Sequence, residues 1–302
     1  MKLSSVILVC LGLLTTIATF RWASSLMLIT NSNSNAAGIK HLSITTGLSQ
    51  QPSSLSVAEI ARLVTVRILT EPGSGSGVII HRQGQTYTVL TCEHVIGDSQ
   101  GGKYTVLTVD GITQPARRKS ISHIENTDEV QAGSAVARRS TLDLALVQFE
   151  SKKLYRVAAL GDSDALSPGN PVYASGFPNY QFLSQKSVED TRNWGTRAFR
   201  STKGEVSLLL ERSLPEGYRL GYTNDVEQGM SGGPVLNERG QLVGINGRLK
   251  YPLQGIDVFT FADGTKPSVE MFQQMEALSW AIPIATFQQK TKLNLTQPLS
   301  NP

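Results

Sequence analysis

Cysteine is nearly absent from this chain of 302 residues. One of its two cysteines, Cys10, lies in an N-terminal apolar run, and the other is Cys92. If that run is removed or inserted into a membrane, the two thiols cannot pair, which excludes a disulfide framework for the folded domain. Stability must then come from a buried core, which a 40% hydrophobic composition allows. We expect Cys92 to be a buried structural thiol, with a Cys92–His94 nucleophile pair as the alternative.

A strong excess of charge is also absent. The formal net charge is +4 and the isoelectric point is near 9.0. The basic residues stand in short groups such as Arg117–Lys119, without aromatic residues between them. Such groups are typical of solvated loops, because a nucleic-acid surface needs a concentrated basic patch. The sequence therefore predicts no nucleic-acid partner.

No apolar run is long enough to predict a transmembrane helix with certainty. A short positive start is followed by the run Val6–Phe20, which Arg21 interrupts. A second apolar patch, Leu26–Ile29, keeps a signal anchor open as the alternative to a cleaved signal peptide. We therefore expect export: the protein is periplasmic, secreted, or tethered to a membrane by this segment and facing outside.

The rest of the chain has the pattern of one all-β domain between two short flanking segments. Ser56 and Glu59 form a capping-box pattern that predicts a helix start. Short β runs separated by glycine-rich turns follow. The predicted segments are a signal peptide or anchor at 1–29, a flexible linker at 30–55, the domain at 56–292 and a tail at 293–302. The main predicted elements are strands at Leu63–Thr70, Gly75–Ile80, Tyr87–Thr91, Tyr104–Val109, Leu142–Phe149, Pro171–Ser175, Gly204–Leu210, Pro234–Leu236 and Gln241–Ile245, and a closing helix at Ala285–Lys292.

Histidine is missing after Ser231, and aspartate is missing before His94. Residues 229–233 fit the G-x-S-x-G elbow of α/β-hydrolases, but that fold needs its histidine after the serine. The subtilisin order needs an aspartate before the histidine, so it is excluded as well. The remaining order is His94, Asp143, Ser231, which is that of the chymotrypsin-like enzymes.

These three residues supply the parts of a nucleophilic hydrolase. The hydroxyl of Ser231 needs a base to become a nucleophile, and His94 is the candidate base. Asp143 would hold the imidazole in the correct tautomer and stabilise the imidazolium. The backbone N–H groups of Gly229 and Ser231 would form the oxyanion hole. Each residue taken alone is more often a loop or turn residue, so the prediction depends on the joint pattern.

The chain resembles the trypsin-like serine proteases, and within them the protease domain of the HtrA/Deg family. The similar stretches, in family order, are Gly75–Ile80, His94–Ile96, Asp143–Val147, Leu160–Asp164, Ser231–Asn237, Gly240–Asn246 and Ala281–Pro283. The resemblance implies an all-β fold of two antiparallel six-stranded β-barrels, with the active site in the cleft between them and a short C-terminal helix. Residues 56–292 would then be the protease domain, and its substrates would be proteins or peptides. A PDZ domain, usual in that family, is not expected, since few residues follow Asn246.

Fewer residues of the sequence indicate which substrate side chains the protein would select. Asp225 lies six residues before Ser231, the spacing at which trypsins place the carboxylate of the primary pocket. The HtrA-like offset does not place a carboxylate there, so an exposed loop acid is the favoured interpretation. Together with Asp225, the candidate substrate-binding residues are Ile245, Asn246 and Gly247.

Met230 stands where digestive trypsins carry the aspartate that pairs with a newly cut amino terminus. A methionine cannot form that ion pair, so activation by amino-terminal cleavage is not expected. No cofactor and no metal are expected, and the oligomeric state is left open. The alternatives to an endopeptidase are a non-catalytic binding or chaperone-like module on the same scaffold and a simple esterase.

Overall fold

The computed structural model describes residues 55–71, 73–97, 103–120, 142–184 and 187–291, all within one compact unit that spans Pro52–Pro302. The predicted signal segment, nearly all of the predicted linker and the predicted tail lie outside these residues, so those boundaries stay predictions. Among the described residues, no helix combines the length and the apolar character that a membrane span requires.

Short strands dominate the secondary structure. In chain order the elements are α1 (Val57–Val64), β1 (Thr65–Leu69), β2 (Ser74–Gln83), β3 (Thr86–Thr91), α2 (Glu93–Ile96), β4 (Tyr104–Leu107), β5 (Thr113–Lys119), β6 (Ala145–Glu150), β7 (Pro171–Gly176), β8 (Tyr180–Ser184), β9 (Ser187–Asp190), β10 (Arg200–Leu209), β11 (Leu220–Tyr222), β12 (Pro234–Asn237), β13 (Leu242–Arg248), α3 (Val269–Glu276), β14 (Ser279–Pro283) and α4 (Ile284–Thr291). Short 3₁₀ turns lie at Gly195–Ala198, Pro215–Gly217 and Gly255–Phe259.

The strands close into two antiparallel barrels. The first has the strand order β1-β2-β3-β6-β5-β4, and the second has the order β10-β11-β14-β13-β12-β7. The remaining two strands, β8 and β9, form a separate hairpin between β7 and β10. The expected all-β fold of two six-stranded barrels with a short C-terminal helix is therefore confirmed.

Three apolar clusters stabilise this arrangement. One fills the first barrel and includes Val89 and Phe149. Another fills the second barrel around Val172 and Leu220. The largest cluster takes side chains from both barrels and from α1 and α4, including Phe287. Because protein interiors are close-packed, this shared cluster lets residues from the two barrels meet at fixed positions.

The start of α1 follows the sequence signal. The Ser56 hydroxyl accepts a hydrogen bond from the Glu59 N–H, and the Glu59 carboxylate accepts one from the Ser56 N–H at 2.8 Å. The predicted capping box is thus confirmed. The helix continues through Val64, so the strand predicted from Leu63 begins instead at Thr65. Val64 is fully buried, and helical packing outweighs the short alternating pattern there.

The sequence pattern missed the strands with little apolar alternation. Strand β5 contains no fully buried residue, and its pairing with β4 and β6 keeps it extended. The group Arg117–Lys119, expected on a solvated loop, lies on this strand. Arg118 donates to the Glu93 carboxylate at 2.7 Å. The hairpin β8–β9 and the three-residue strand β11 were likewise not predicted.

Candidate active site

Strand pairing brings His94 and Asp143 to one end of the first barrel. Thr91, at the end of β3, pairs with Ala145, at the start of β6. His94 lies in α2, directly after β3, and Asp143 lies just before β6. Because antiparallel neighbours end and begin side by side, two residues far apart in the sequence become adjacent.

The two side chains share a short hydrogen bond. Nδ1 of His94 and Oδ2 of Asp143 are 2.6 Å apart, and Oδ1 of Asp143 accepts from the His94 backbone N–H at 2.9 Å. Asp143 is buried, whereas the His94 side chain is 49% exposed. Among the described residues, the second ring nitrogen of His94, Nε2, has no hydrogen-bond partner. The imidazole is therefore oriented at one nitrogen and available at the other.

Burial and hydrogen bonding act in opposite directions on this pair. For His94, burial lowers the pKa, but the hydrogen bond and charge of Asp143 raise it above its ordinary value. For Asp143, burial raises the pKa, but the hydrogen bond and charge of His94 and the hydroxyl of Tyr218 lower it below its ordinary value. Asp143 is therefore ionised at neutral pH and stabilises an imidazolium on His94.

Tyr218 is a member of the site that the sequence patterns missed. Its hydroxyl donates to Oδ2 of Asp143, the oxygen that also bonds His94. Burial raises the pKa of Tyr218 well above its ordinary value, so the phenol stays protonated and remains a donor. The guanidinium of Arg248 lies over its ring, 4.4 Å from the centroid. A single tyrosine directly after the 3₁₀ turn Pro215–Gly217 carries no motif, so no sequence signal pointed to it.

Gly247 provides the space that Tyr218 occupies. A Cβ atom at position 247 would lie 2.0 Å from the Tyr218 hydroxyl oxygen, far inside contact distance. The Gly247 carbonyl also accepts a hydrogen bond from the Ser231 hydroxyl at 3.4 Å. Gly247, predicted as a substrate-binding residue, thus lies directly beside both Tyr218 and the candidate nucleophile.

The backbone of Asp143 is held by the turn Pro215–Gly217. The Asp143 N–H donates to the Glu216 carbonyl at 3.0 Å. Glu216 has φ of +68°, a left-handed conformation that is uncommon for a residue other than glycine. Arg248 donates to the Pro215 carbonyl at 3.1 Å and to the Glu216 carboxylate at 3.2 Å. These bonds compensate for the unfavourable backbone conformation beside the site.

Ser231 lies between β11 and β12, on a loop tied to the first barrel. Its carbonyl accepts from the Ser76 N–H at 2.8 Å, and the next N–H, of Gly232, donates to the Asn246 carbonyl at 2.7 Å. The hydroxyl donates weakly to Gly247, and no hydrogen bond joins it to His94 among the described residues. Such a bond is often long or absent until substrate binds, so the free hydroxyl is compatible with a nucleophile.

The side chains of two predicted substrate-binding residues have structural positions. Ile245 and Asn246 are fully buried, so a contact with substrate would have to come from their backbone, and their role in binding stays a prediction. The Asn246 amide donates to the Met230 carbonyl at 3.1 Å, and its oxygen accepts from the Tyr222 hydroxyl at 2.5 Å. Its carbonyl also accepts from the Cys92 thiol at 3.3 Å. Asn246 therefore fixes the loop that carries Ser231.

Gly229 has the conformation and the contacts expected of a constrained loop. Its φ is +99°, and a Cβ atom there would lie 2.6 Å from the Phe177 carbonyl oxygen. The Gly229 carbonyl accepts from the buried Ser76 hydroxyl at 2.8 Å. Among the described residues, the N–H groups of Gly229 and Ser231 have no hydrogen-bond partner. Both N–H groups of the predicted oxyanion hole are therefore free of protein acceptors within the described residues, and the hole itself stays a prediction.

Asp225 is on the surface. Its side chain is 87% exposed, and its carboxylate accepts from the Lys250 ammonium at 2.7 Å. Lys250 also donates to the Thr223 carbonyl at 2.7 Å. A carboxylate in this position is the exposed loop acid of the favoured interpretation and does not lie buried at the base of a pocket.

Met230 and Cys92 are both fully buried. Cys92 is free, and burial raises the pKa of its thiol well above its ordinary value, which confirms the prediction of a structural thiol. The ligand atoms of Cys92, His94 and Asp143 lie within 4.8 Å of one another. A nitrogen and an oxygen bound to one tetrahedral zinc ion would be about 3.3 Å apart. The 2.6 Å separation of His94 and Asp143 therefore fits a shared proton better than a shared metal.

The family model for the trypsin-like peptidase domain matches residues 75–245, more than half of the chain. The chain belongs to the trypsin-like peptidase family. The match covers His94, Asp143 and Ser231 and parts of both barrels. The expected resemblance to trypsin-like proteases is therefore confirmed, and the geometry described above is that of a family member.

Individual relatives come from the HtrA and DegP groups. "Serine protease Do-like HtrA" of Bacillus subtilis is 28% identical over 205 residues, which are 67% of this chain and 39% of that protein. "Probable periplasmic serine endoprotease DegP-like" of Pseudomonas putida is 28% identical over 205 residues, 67% of this chain and 35% of that protein. This trypsin-like chain thus spans less than half the length of either relative. The crystal structure of the serine endoprotease from Yersinia pestis gives a TM-score of 0.49 at 21% identity, covering 78% of this chain and 65% of that one.

Proposed function

We propose that this protein is a serine endopeptidase in which Ser231 is the nucleophile, His94 the general acid and base, and Asp143 the orienting carboxylate. The observation that carries the proposal is the 2.6 Å hydrogen bond between His94 and Asp143. This bond leaves Nε2 of a half-exposed imidazole free to take a proton from a hydroxyl. Membership of the trypsin-like peptidase family supports the same assignment.

The reaction would proceed through an acyl-enzyme. His94 Nε2 takes the Ser231 hydroxyl proton while the oxygen bonds to the scissile carbonyl carbon, forming a tetrahedral intermediate. The carbon–nitrogen bond then breaks, and the imidazolium returns that proton to the leaving amine. A water molecule repeats the attack on the acyl-enzyme and releases the acid product. Asp143 stays ionised throughout and stabilises the imidazolium, as its lowered pKa allows.

The loop before Ser231 would stabilise the intermediate. The unpaired N–H groups of Gly229 and Ser231 are the proposed donors to the negative oxygen. The loop around them is held before substrate arrives, because the Ser76 hydroxyl bonds the Gly229 carbonyl and the Ser76 N–H bonds the Ser231 carbonyl. Removal of one such donor typically costs about two to three orders of magnitude in rate. Gly247 is the proposed backbone contact for substrate, since it adjoins the Ser231 hydroxyl.

Proteins or peptides are the proposed substrates, and an exported location is proposed for the enzyme. The names of the relatives describe serine proteases, one of them periplasmic. The apolar run Val6–Phe20 gives the chain a segment able to direct export or to act as a membrane tether. Residues 56–292 are the proposed protease domain. Amino-terminal sequencing of the protein purified from its cells would distinguish a cleaved signal from an anchor.

A fluorophosphonate probe and a denatured protein substrate test the activity together. The wild-type protein should be labelled at Ser231 and should hydrolyse the substrate, and heat denaturation should abolish labelling. Ser231→Ala should remain folded by circular dichroism but lose labelling and at least about four orders of magnitude in kcat/KM. Ser213→Ala, at a partly buried serine on the connection between β10 and β11, is the matched control and should keep both.

Two results would reject the endopeptidase proposal. Protein binding without labelling or hydrolysis by the folded wild type would indicate a non-catalytic module on this scaffold. Turnover of esters but not of peptide amides would indicate an esterase. Both outcomes are read from the same preparation, so neither depends on a variant that fails to fold.

A further inference from the structure

One arginine of the first barrel is buried without a carboxylate partner. Arg67, on β1, is 0% exposed, and no ion pair to an acidic side chain is found for it among the described residues. Burial of its guanidinium lowers the pKa of Arg67 to about 10, although the charge of Asp190 acts in the opposite direction. Burying a charge without a directly bonded counter-ion is costly, so a residue kept in this state needs a structural explanation.

The guanidinium is solvated entirely by neutral oxygen atoms. Nε and Nη2 donate to the Ser74 hydroxyl oxygen at 3.2 and 3.1 Å, and Nη1 donates to the Thr191 carbonyl at 2.8 Å. Nη2 also donates to the Asn179 side-chain oxygen at 3.2 Å and lies 3.5 Å from the Pro178 carbonyl oxygen. A planar group with several fixed donors can satisfy such a set, which a lysine cannot do.

These partners lie at the two ends of the β8–β9 hairpin. Residues 177–179 enter the hairpin, and Thr191 directly follows β9. The Thr191 N–H donates to the Asn179 carbonyl at 2.9 Å, and the Thr191 hydroxyl donates to the Pro178 carbonyl. The Arg67 guanidinium also lies over the Phe177 ring, 5.9 Å from its centroid. Arg67, on β1 of the first barrel, therefore holds together the two ends of the β8–β9 hairpin.

Asn179 connects this base to the loop that carries Ser231. Its side-chain oxygen accepts from the Ser74 hydroxyl at 2.5 Å, and its amide donates to the Ser74 carbonyl at 3.0 Å. Its backbone N–H donates to the Gln228 carbonyl at 2.7 Å. A Cβ atom on Gly229 would lie 2.6 Å from the Asn179 side-chain oxygen, so the two residues are in direct contact.

The bond from Asn179 determines the orientation of one peptide unit. In a trans peptide the C=O and the following N–H point in opposite directions. While the Gln228 carbonyl faces Asn179, the Gly229 N–H faces away from it. A flipped peptide would put a carbonyl oxygen where the N–H now lies, and repulsion would replace stabilisation of a negative oxygen.

We propose that Arg67 is a positioning residue for the oxyanion hole: through Ser74 and Asn179 it holds the Gln228–Gly229 peptide in the orientation that makes the Gly229 N–H a donor. The inference rests on the proposed function, because it concerns the transition state of that reaction. Arg67 touches neither the substrate nor His94. Its effect is therefore on kcat and on transition-state analogues, and KM for a peptide substrate changes little.

The test compares Arg67→Met and Arg67→Lys with Arg82→Met. Arg82, on β2, is the matched control, because its guanidinium also packs on an aromatic ring, 5.6 Å from the Tyr87 centroid, and no hydrogen bond joins it to the Ser231 loop within the part of the chain that the structure describes. Active sites are counted with the fluorophosphonate probe, and kcat is expressed per labelled site. A peptide boronic acid, whose adduct with a serine places an oxygen in the hole, measures the hole directly.

Arg67→Met should lower kcat per site by about tenfold to a hundredfold, with KM changed by less than about twofold. Its affinity for the boronic acid should fall by the same factor as kcat. Arg67→Lys should lie between Met and wild type, and Arg82→Met should match wild type. If Arg67→Met does not fold, Asn179→Ala, which removes the link but keeps the buried arginine, should show the same signature.

Two results would overturn the inference. The first is fewer labelled sites with normal kcat per site, which would make Arg67 a stability residue. The second is an equal loss of kcat and of boronic acid affinity in Arg82→Met. Failure of the proposed function is recognised separately, because Ser231 of the wild type would then not be labelled.

Discussion

The Tyr218 hydroxyl occupies the space beside Asp143 that a side chain at position 247 would need, since a Cβ on Gly247 would lie 2.0 Å from the phenolic oxygen. The tyrosine hydroxyl that excludes a side chain at 247 is the one that donates to Asp143. The two residues are therefore coupled, and a change at one affects what the other can do.

Gly247→Ala is expected to destabilise the protein by about 1–3 kcal/mol, because the added methyl group forces a packed tyrosine to move. Activity should fall as well, since Tyr218 would leave Asp143. Urea unfolding and kcat/KM measure the two effects. In a Tyr218→Phe background the same substitution should cost less, and the difference is the coupling energy. Strict additivity of the two changes would contradict the shared position.

Tyr218→Phe is expected to lower kcat/KM by about tenfold, because Asp143 loses one of its hydrogen-bond donors and is held less firmly. With fewer donors the carboxylate also interacts more strongly with the imidazolium. The acid limb of the pH profile should therefore move to higher pH. Tyr87→Phe, which removes a buried hydroxyl that donates to the Lys153 carbonyl and not to Asp143, is the control. Identical profiles for both variants would exclude a role for Tyr218 in the site.

The pH dependence of activity should reflect the raised pKa of His94. Neutral imidazole is the base, so kcat/KM should decline as pH falls, with an apparent pKa above the ordinary value of 6.5. Asp143→Asn should lower this apparent pKa and reduce kcat by about four orders of magnitude. An acid limb unchanged by Asp143→Asn would indicate that another group controls it.

Stability should depend on pH through the same pair, with opposite signs. The raised pKa of His94 stabilises the fold below its unfolded value of about 6.5, and this contribution is lost as pH rises through the folded value. The lowered pKa of Asp143 stabilises the fold above its unfolded value of about 3.8, and this is lost as pH falls through the folded value. Unfolding midpoints of wild type and Asp143→Asn measured across these two ranges test both signs.

Asp225→Ala is expected to leave side-chain specificity unchanged, because the carboxylate is exposed and bound to Lys250. The ratio of kcat/KM for peptides with Arg and with Leu before the scissile bond should stay within about twofold. Lys250→Ala controls for loss of the ion pair, which at an exposed site is worth at most about 1 kcal/mol. A selective loss of Arg cleavage in Asp225→Ala would place the carboxylate in the substrate pocket after all.

Met230→Asp is expected to destabilise the protein by several kcal/mol, since the side chain at this position is fully buried. Burial would raise the pKa of the new carboxyl, so the variant should be most stable at acid pH and lose stability as pH rises. Met230→Leu, with a similar volume, should cost less than about 1.5 kcal/mol. A Met230→Asp variant as stable as wild type at neutral pH would mean that a cation reaches this position.

The sequence predicted the parts of the fold that have local signals. Alternating apolar residues gave β3 and β7 nearly to their ends, and Ser56 and Glu59 gave the start of α1. Strand β5 has no such alternation, because pairing with its neighbours rather than burial keeps it extended. Strand positions that depend on neighbours elsewhere in the chain cannot be read from a local window.

The candidate site also contains residues that the sequence identifies and residues that only the fold reveals. His94, Asp143 and Ser231 could be selected because chain order and residue type are visible in the sequence. Tyr218 could not, since its hydroxyl reaches Asp143 only through the fold. Asn246 was predicted as a substrate contact, and the sequence did not show that its buried side chain supports the Ser231 loop. Side-chain direction on β13 decides between these roles, and one sequence does not give it.

Alkylation of the buried thiol of Cys92 can also be used to measure how often the protein opens. The folded site keeps alkylating reagents away from it, because the sulfur is buried and its pKa is raised. Each modification at this position therefore marks a molecule that has opened around His94. In an oxidising compartment, exposed thiols pair or oxidise, but burial protects Cys92 while the protein is folded. The enzyme would therefore be lost through this thiol at the rate at which it unfolds.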